Sequence, residues 1–184
     1  GAAAGMAAAA VASSAASIVT DSSFEGMSAA LHLRPAGPDD AEALARSLVD
    51  GLAGYRDFAP EGWEPPTLDF GLAVLGELLT DPDSWACIAE DDAGALAGQS
   101  CVIPAAKARN AIDDPALGHL LALFIEPPYW GTGLARRLHA AALDAARERG
   151  YTEIRLFTAK GQARARRFYE REGWYDTGRD GPPI

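Results

Sequence analysis

The stretch LLALFIEPPYWGTGLARRLHAAAL, Leu120–Leu143, decides how this chain folds. An apolar run meets two prolines, then a Gly-Thr-Gly, then an alanine-rich segment carrying Arg136 and Arg137. From His119 to Ile125 nearly every residue is apolar, which predicts a central strand covered on both faces. Leu134, Leu138, Ala142 and Leu143 share one helical face and predict a helix from about Leu134 to Arg149, closed by Gly150. The glycines therefore stand where a strand ends and a helix begins. In one reading Gly131 and Gly133 only satisfy the backbone of a tight turn. In the other, the first helical N–H groups, which lack intrahelical acceptors, combine with the helix dipole to hold an anion. Bare glycines let a phosphate approach those groups closely, with Thr132 adding a hydroxyl and Arg136 and Arg137 adding charge.

Two familiar phosphate loops do not fit. The Walker pattern requires a Lys after its last glycine, and Leu134 follows Gly133; the dinucleotide fingerprint requires a third Gly or Ala where this chain has Arg136.

Working outward, Leu31 and Leu33 alternate with polar residues as in a half-buried strand. GPDDAEALARSLVDGL follows, with Pro38 and two aspartates in a first turn and Leu44, Leu48 and Leu52 on one helical face. After a loop rich in proline and aromatics, TLDFGLAVLGELLTD predicts a second helix with Leu72, Leu75 and Leu79 as its apolar stripe. SWACIAEDDAGALAGQSCVIPA predicts two strands around an acidic turn at Asp91–Gly94. YTEIRLFTA predicts another strand and GQARARRFYEREG a short helix closed by Gly173. The order is strand, two helices, three strands, helix, strand, helix. The hairpin implies an antiparallel half and the strand–helix–strand unit a parallel one, so the fold class is α/β, a mixed sheet flanked by helices on both faces.

Bulk properties narrow the function. The 184 residues suit one domain with a tail. No apolar run approaches the roughly 20 residues of a membrane span. A formal net charge of −10 argues against a nucleic-acid partner, though a small anion can still bind where the local field is positive. Cys87 and Cys101 show no metal-ligand spacing and no disulfide framework, as expected of buried thiols in a cytoplasmic protein. Residues 1–28 are Ala/Ser-rich and carry no Lys or Arg, hence no basic region of a secretory signal. They are read as a disordered tail or added extension, with Met27 a plausible natural start, and 29–184 as the folded domain.

Two separate motifs then coincide. WGTGLA before a basic amphipathic helix resembles the acyl-CoA pyrophosphate loop of the GNAT superfamily of N-acetyltransferases, usually Gln or Arg, two free positions, Gly, one free position, and Gly or Ala. Gly133 and Ala135 match, while Trp130 stands at the Gln/Arg position. GQARARRFYEREGW resembles the superfamily's other signature, with Gln162 at an Asn position, then Ala165, Phe168-Tyr169 and Gly173-Trp174. The resemblance covers about Leu31 to the C-terminus.

It implies acetyl-CoA as acyl donor, no metal, and a primary amine, of the small-molecule or amine-modifying kind, attacking the thioester directly. A catalytically silent CoA-binding or sensor module of the same fold is the alternative. The central strand would splay from its neighbour at a bulge, and backbone groups of Leu123, Phe124 and Ile125 would pair with the pantetheine arm. Backbone N–H groups of Gly131, Thr132, Gly133, Leu134, Ala135 and Arg136 would hold the pyrophosphate, with Gln162 and Arg167 on the far side. Tyr169 would protonate the departing thiolate, and His119 or Glu126 would take the amine's proton. In the roof loop GYRDFAPEGWEPP, Tyr55, Phe58 and Trp63 would form an apolar wall and Glu61 would read a cation. The acidic chain favours a cationic amine, and a homodimer stays open. The superfamily's last strand is apparently missing or truncated after Trp174; an open edge, a partner's strand and the N-terminal SIVT (17–20) are the ways to account for it.

Overall fold

A 7-stranded sheet forms the centre of the computed structural model, which describes residues 30–57 and 59–179 together with the backbone of two short N-terminal strands. In chain order the elements are β1 (Gly5–Ala7), β2 (Ala10–Val11), β3 (His32–Pro35), α1 (Ala41–Ala53), α2 (Leu68–Thr80), β4 (Trp85–Glu90), β5 (Leu96–Pro104), β6 (Leu117–Ile125), α3 (Leu134–Glu148), β7 (Glu153–Ala159) and α4 (Ala163–Arg171). The sheet order is β1-β7-β6-β5-β4-β3, with β2 also on β7. Among the described residues, only β6 and β7 run parallel; every other pairing is antiparallel. The mixed sheet and its flanking helices are those predicted.

Each face has its own core. On one, Val102, Leu120, Ile154 and Leu156 pack with Ala142 and Ala146 of α3 and with Tyr169 and Trp174. On the other, Ile88, Cys101, Ile103 and Ala122 pack with Leu44 of α1 and Leu75 and Leu78 of α2. The buried stripe of α2 is thus Gly71, Leu75 and Leu78; of the predicted stripe, Leu75 is buried, Leu79 packs at the edge of this core and Leu72 is half-buried. Gly71 lies close against Ala45 and Val49 of α1, and this close approach turns the helix toward its glycine face.

The feature that positions the site is a fork in the sheet. β6 and β7 pair only from Leu117↔Glu153 to Leu120↔Leu156. Beyond that, β6 continues to Ile125 along β5 alone. A register shift at Cys101/Val102 leaves Leu121 unpaired between Leu120 and Ala122, and Leu121 is 38% exposed. Such a bulge bends its strand, here away from β7.

The other edge of β7 meets β1 and β2, with Met6 opposite Thr158 and Val11 opposite Glu153. Residues 17–20 lie outside the described residues, and after Trp174 the chain adds an isolated bridge at Asp176.

Beside the fork, α1 presses on β6 at Gly51. A Cβ there would fall inside the contact shell of the Phe124 ring. Gly51→Ala is therefore expected to lower stability by about 1–3 kcal/mol through overpacking. Urea unfolding of this variant and of Gly51→Ala/Phe124→Leu checks it: the double variant should recover most of the loss.

Candidate active site

Gly131 and Gly133 both adopt φ near the left-handed region, +82° and +83°, and a Cβ on either would point into open space. Backbone conformation, not crowding, demands glycine, and the space above the turn is available. Among the described residues, the N–H groups of Gly131, Gly133 and Ala135 find no acceptor. The other loop donors are engaged. Thr132 N–H reaches Tyr129 C=O at 3.4 Å, and Arg136 N–H reaches Gly133 C=O at 3.1 Å. Leu134 N–H points to Thr132 Oγ1 at 3.4 Å, and that hydroxyl donates to Tyr129 C=O at 2.7 Å. The expected cradle over residues 131–136 thus narrows to the donors of Gly131, Gly133 and Ala135. Arg136 is exposed, its Nε held by Glu172 Oε1 at 3.1 Å.

From this loop the fork runs inward along β6. Glu126 N–H donates to Ala97 C=O on β5 at 2.9 Å. Backbone groups alternate sides along a strand, so those of Phe124 also face β5, and those of Leu123 and Ile125 face the opening. Of the residues expected to offer a pairing edge, Leu123 and Ile125 fit and Phe124 does not. The Ile125 carbonyl already accepts a bond from Trp130 Nε1–H at 2.8 Å.

At the base of the fork, Tyr169 is buried in the cluster containing Leu120 and Leu156, the last joined pair. Burial, and then neighbouring Tyr55, push its phenol well above the ordinary value. Tyr55 comes from the turn after α1, on the opposite face of the sheet, and the gap between β6 and β7 brings the two phenols close enough for their charges to interact. Burial raises Tyr55 as well, partly offset by the Gln162 side chain beside its hydroxyl. Gln162 Oε1 accepts from Thr158 Oγ1 at 2.8 Å, which leaves its amide nitrogen as the donor toward the Tyr55 hydroxyl. Tyr55, Gln162 and Tyr169 are thereby brought together, along with Thr158, which the sequence reading passed over.

Tyr169 is locked by its neighbours. Its ring makes edge contacts with His139, Phe168 and Trp174. Trp174 Nε1 donates to His139 Nε2 at 2.8 Å, so the ring proton of neutral His139 is on Nδ1, toward Glu172. Burial holds His139 below its ordinary pKa, with Glu172 opposing.

Glu126 lies at the end of β6 with Oε1 accepting from Ser47 Oγ of α1 at 2.6 Å. Ser47 is a second residue the sequence reading missed, although a serine beside Leu44 and Leu48 on an apolar stripe marks a buried polar partner. His119 is differently placed. It does not open the strand; it pairs with Ile103 and Arg155 where β6 and β7 are still joined, and only 4% of it is exposed. Burial and then the Arg155 charge hold its pKa at about 3, too low to take a proton from an ammonium group. Buried Cys87 and Cys101 have thiols pushed up to about 11 and about 12 by burial, which leaves both inert.

The remaining candidates are scattered. Glu61 is exposed and Trp63 half-buried; Phe58 lies outside the described residues. Arg167 is exposed on α4. No described helix is long and apolar enough to cross a membrane.

Open N–H groups at the N-terminus of α3, an open strand edge and a buried phenol at the fork thus lie together on a splayed sheet. A profile of the acetyltransferase (GNAT) family matches residues 50–174, and the chain belongs to that family. Mycothiol acetyltransferase of Beutenbergia cavernae is 32% identical over 99 residues, covering 54% of this chain and 31% of that protein, so the match spans under a third of the relative's length. Among solved structures, AAC(6')-Iy in complex with the bisubstrate analog CoA-S-monomethyl-acetylneamine is similar at TM-score 0.66 and 19% identity, over 84% of this chain and 97% of that one. A GCN5-related N-acetyltransferase from Ralstonia eutropha JMP134 is similar at TM-score 0.63 and 23% identity, over 84% and 99%. At these identities the structures speak for the fold.

The placement of His119 has a pH signature. Its folded pKa, about 3, lies below the unfolded value of 6.5, so between them the unfolded chain binds the extra proton. This contribution to stability is complete above about pH 6.5 and declines as pH falls through that window. Lowering pH from about 7.5 to about 5 should cost about 2 kcal/mol through this residue. Urea unfolding at the two pH values should show a smaller difference in His119→Gln, whatever its stability at the higher pH.

Proposed function

We propose that this chain transfers an acetyl group from acetyl-CoA to a primary amine that attacks the thioester directly. The observation that carries the reading is the fork: an open edge of β6 between the donors of Gly131, Gly133 and Ala135 at one end and the Tyr169 phenol at the other. The donors suit a pyrophosphate, and the backbone groups of Leu123 and Ile125 suit the amides of a pantetheine arm.

The proton accounting assigns roles. A protonated amine must lose one proton before attack and a second as the amide forms; one ends on sulfur, and one leaves the site. Water in the open fork is the proposed acceptor of the first, because Glu126, its Oε1 held by Ser47 Oγ, stands at the donor end of β6, the opposite end from Tyr169. Tyr169 faces the departing sulfur. A thiol titrates near 8.5 and a phenol near 10, and burial raises this phenol further, so complete transfer to a free thiolate is uphill. Its raised pKa suits it instead to donate a hydrogen bond to the charge growing on sulfur as the C–S bond breaks. Tyr55 and Gln162 align the roof loop above it. A cationic acceptor is proposed because Asp57 and Glu61 of that loop are exposed and the chain carries net charge −10.

An amine panel scored by released CoA thiol tests the activity, with polyamines and aminoglycosides expected ahead of neutral amines. On an accepted amine, Tyr169→Phe should lower kcat roughly a hundredfold while CoA affinity stays nearly constant. Unchanged turnover would remove Tyr169 from the chemistry. Calorimetry showing no CoA binding at millimolar concentration would remove the reading altogether.

A further inference from the structure

Trp130 occupies the loop position where the family motif places a flexible Gln or Arg, and it is 52% exposed. An exposed indole is usually mobile and unpaired, yet this one is held at both ends. Its Nε1–H donates to the Ile125 carbonyl at 2.8 Å. The Arg164 guanidinium, from the first turn of α4, lies over its ring at 3.8 Å from the centroid. Ile125 belongs to the β6 side of the fork, and Arg164 to the helix that follows β7. The two contacts therefore span the opening from one bank to the other.

We propose that Trp130 and Arg164 form a displaceable strap across the cofactor channel, closed in the free protein and opened by acyl-CoA. The inference rests on the functional reading above, which gives the channel to the pantetheine arm. On that reading the Ile125 carbonyl is one of the few backbone acceptors facing the channel, and a pantetheine amide needs the acceptor that the indole holds. A carbonyl can accept a second bond, but the indole lying against it occupies the approach. Binding must therefore release the indole from Ile125 and part it from Arg164. The cost of release lowers cofactor affinity, and the strap occupies the Ile125 carbonyl while the channel is empty. A cation over an indole face is a weak and reversible contact at an exposed site, which suits a strap that opens on each cycle.

Two variants separate the halves of the device. Trp130→Phe keeps an aromatic ring for Arg164 and removes the N–H donor; Arg164→Lys keeps the charge and removes the planar stack. Stopped-flow and calorimetry with CoA should show Trp130→Phe binding roughly two- to tenfold tighter, through faster association, because one hydrogen bond no longer has to break. Arg164→Lys should shift the same way by a smaller factor. Tryptophan fluorescence of the wild-type protein should change on CoA addition, and most of that change should vanish in Trp130→Phe. Weaker binding by Trp130→Phe would make the indole a cofactor contact and overturn the strap. Equal binding by all three proteins would overturn it while leaving the functional reading intact. Absence of binding in all three would take down the functional reading and the strap with it.

Discussion

The structure depends on the parting of β6 from β7. Within a sheet, every backbone N–H and C=O is expected to find a partner, and an unpaired buried one is costly. Here the last joined pair is Leu120↔Leu156, and the unpaired Leu121 bends β6 onto β5 alone. The bend leaves backbone groups of Leu123 and Ile125 without a neighbouring strand. A fold that opens such a gap between two central strands must close it with something that has regularly spaced amides or carbonyls. Trp130 meets that demand at one position, and a pantetheine arm would meet it along the row. The gap also has a second effect. It lets a residue from the α1 side, Tyr55, reach one from the α4 side, Tyr169, which an unbroken sheet would keep apart.

Placement of charge follows the same economy. A chain of net charge −10 should repel a polyanionic cofactor at long range. The loop answers with fixed dipoles: open N–H groups at the head of α3, which need no countercharge elsewhere and lose little to solvent reorganisation. Arg136 supplements them from an exposed position, and Glu172 holds its Nε so that the rest of the guanidinium is presented outward. Deep in the fork the balance reverses. Tyr169 and Tyr55 are both kept neutral by burial, so on the proposed reading the growing charge would fall on the departing sulfur rather than on the protein.

Much of this was legible from the residues. The apolar run into Ile125, the Gly-Thr-Gly and the Phe-Tyr helix mark strand, cradle and phenol because each is a local signal: a period, a left-handed backbone, an aromatic pair. The misplaced residues share a different character. His119 reads as a strand-opening base, yet burial, and then the Arg155 charge on the neighbouring strand, remove its basicity. The α2 stripe is rotated by the contact of Gly71 with α1, and the bond from Trp130 to Ile125 depends on a turn whose direction no spacing records. Ser47 and Thr158 carry no pattern of their own beyond being polar where apolar residues are expected. Tertiary neighbours set all of these, and a one-dimensional pattern carries tertiary neighbours only where a motif has already tied them together.

That tie explains why the two motifs stand or fall as a unit although some thirty residues of helix and strand separate them. α3 begins at the anion cradle, and α4 carries the phenol. Polar links join them: Arg136 to Glu172 at the surface, His139 Nδ1 to Glu172 at 4.0 Å, and Trp174 to His139 in the core. The last is the firmest. A buried indole N–H needs an acceptor, and neutral His139 supplies it, with burial keeping the imidazole unprotonated and able to accept. Trp174 in turn donates its backbone N–H to the Tyr169 carbonyl at 3.0 Å, closing α4 directly behind the phenol. Protonating His139 would convert its accepting nitrogen into a donor and set it against the indole N–H, loosening the end of α4 that holds Tyr169. On the proposed reading, the helix whose first turn would face the pyrophosphate also fixes the tyrosine that would face the sulfur, so one packed pair of helices would read both ends of one cofactor.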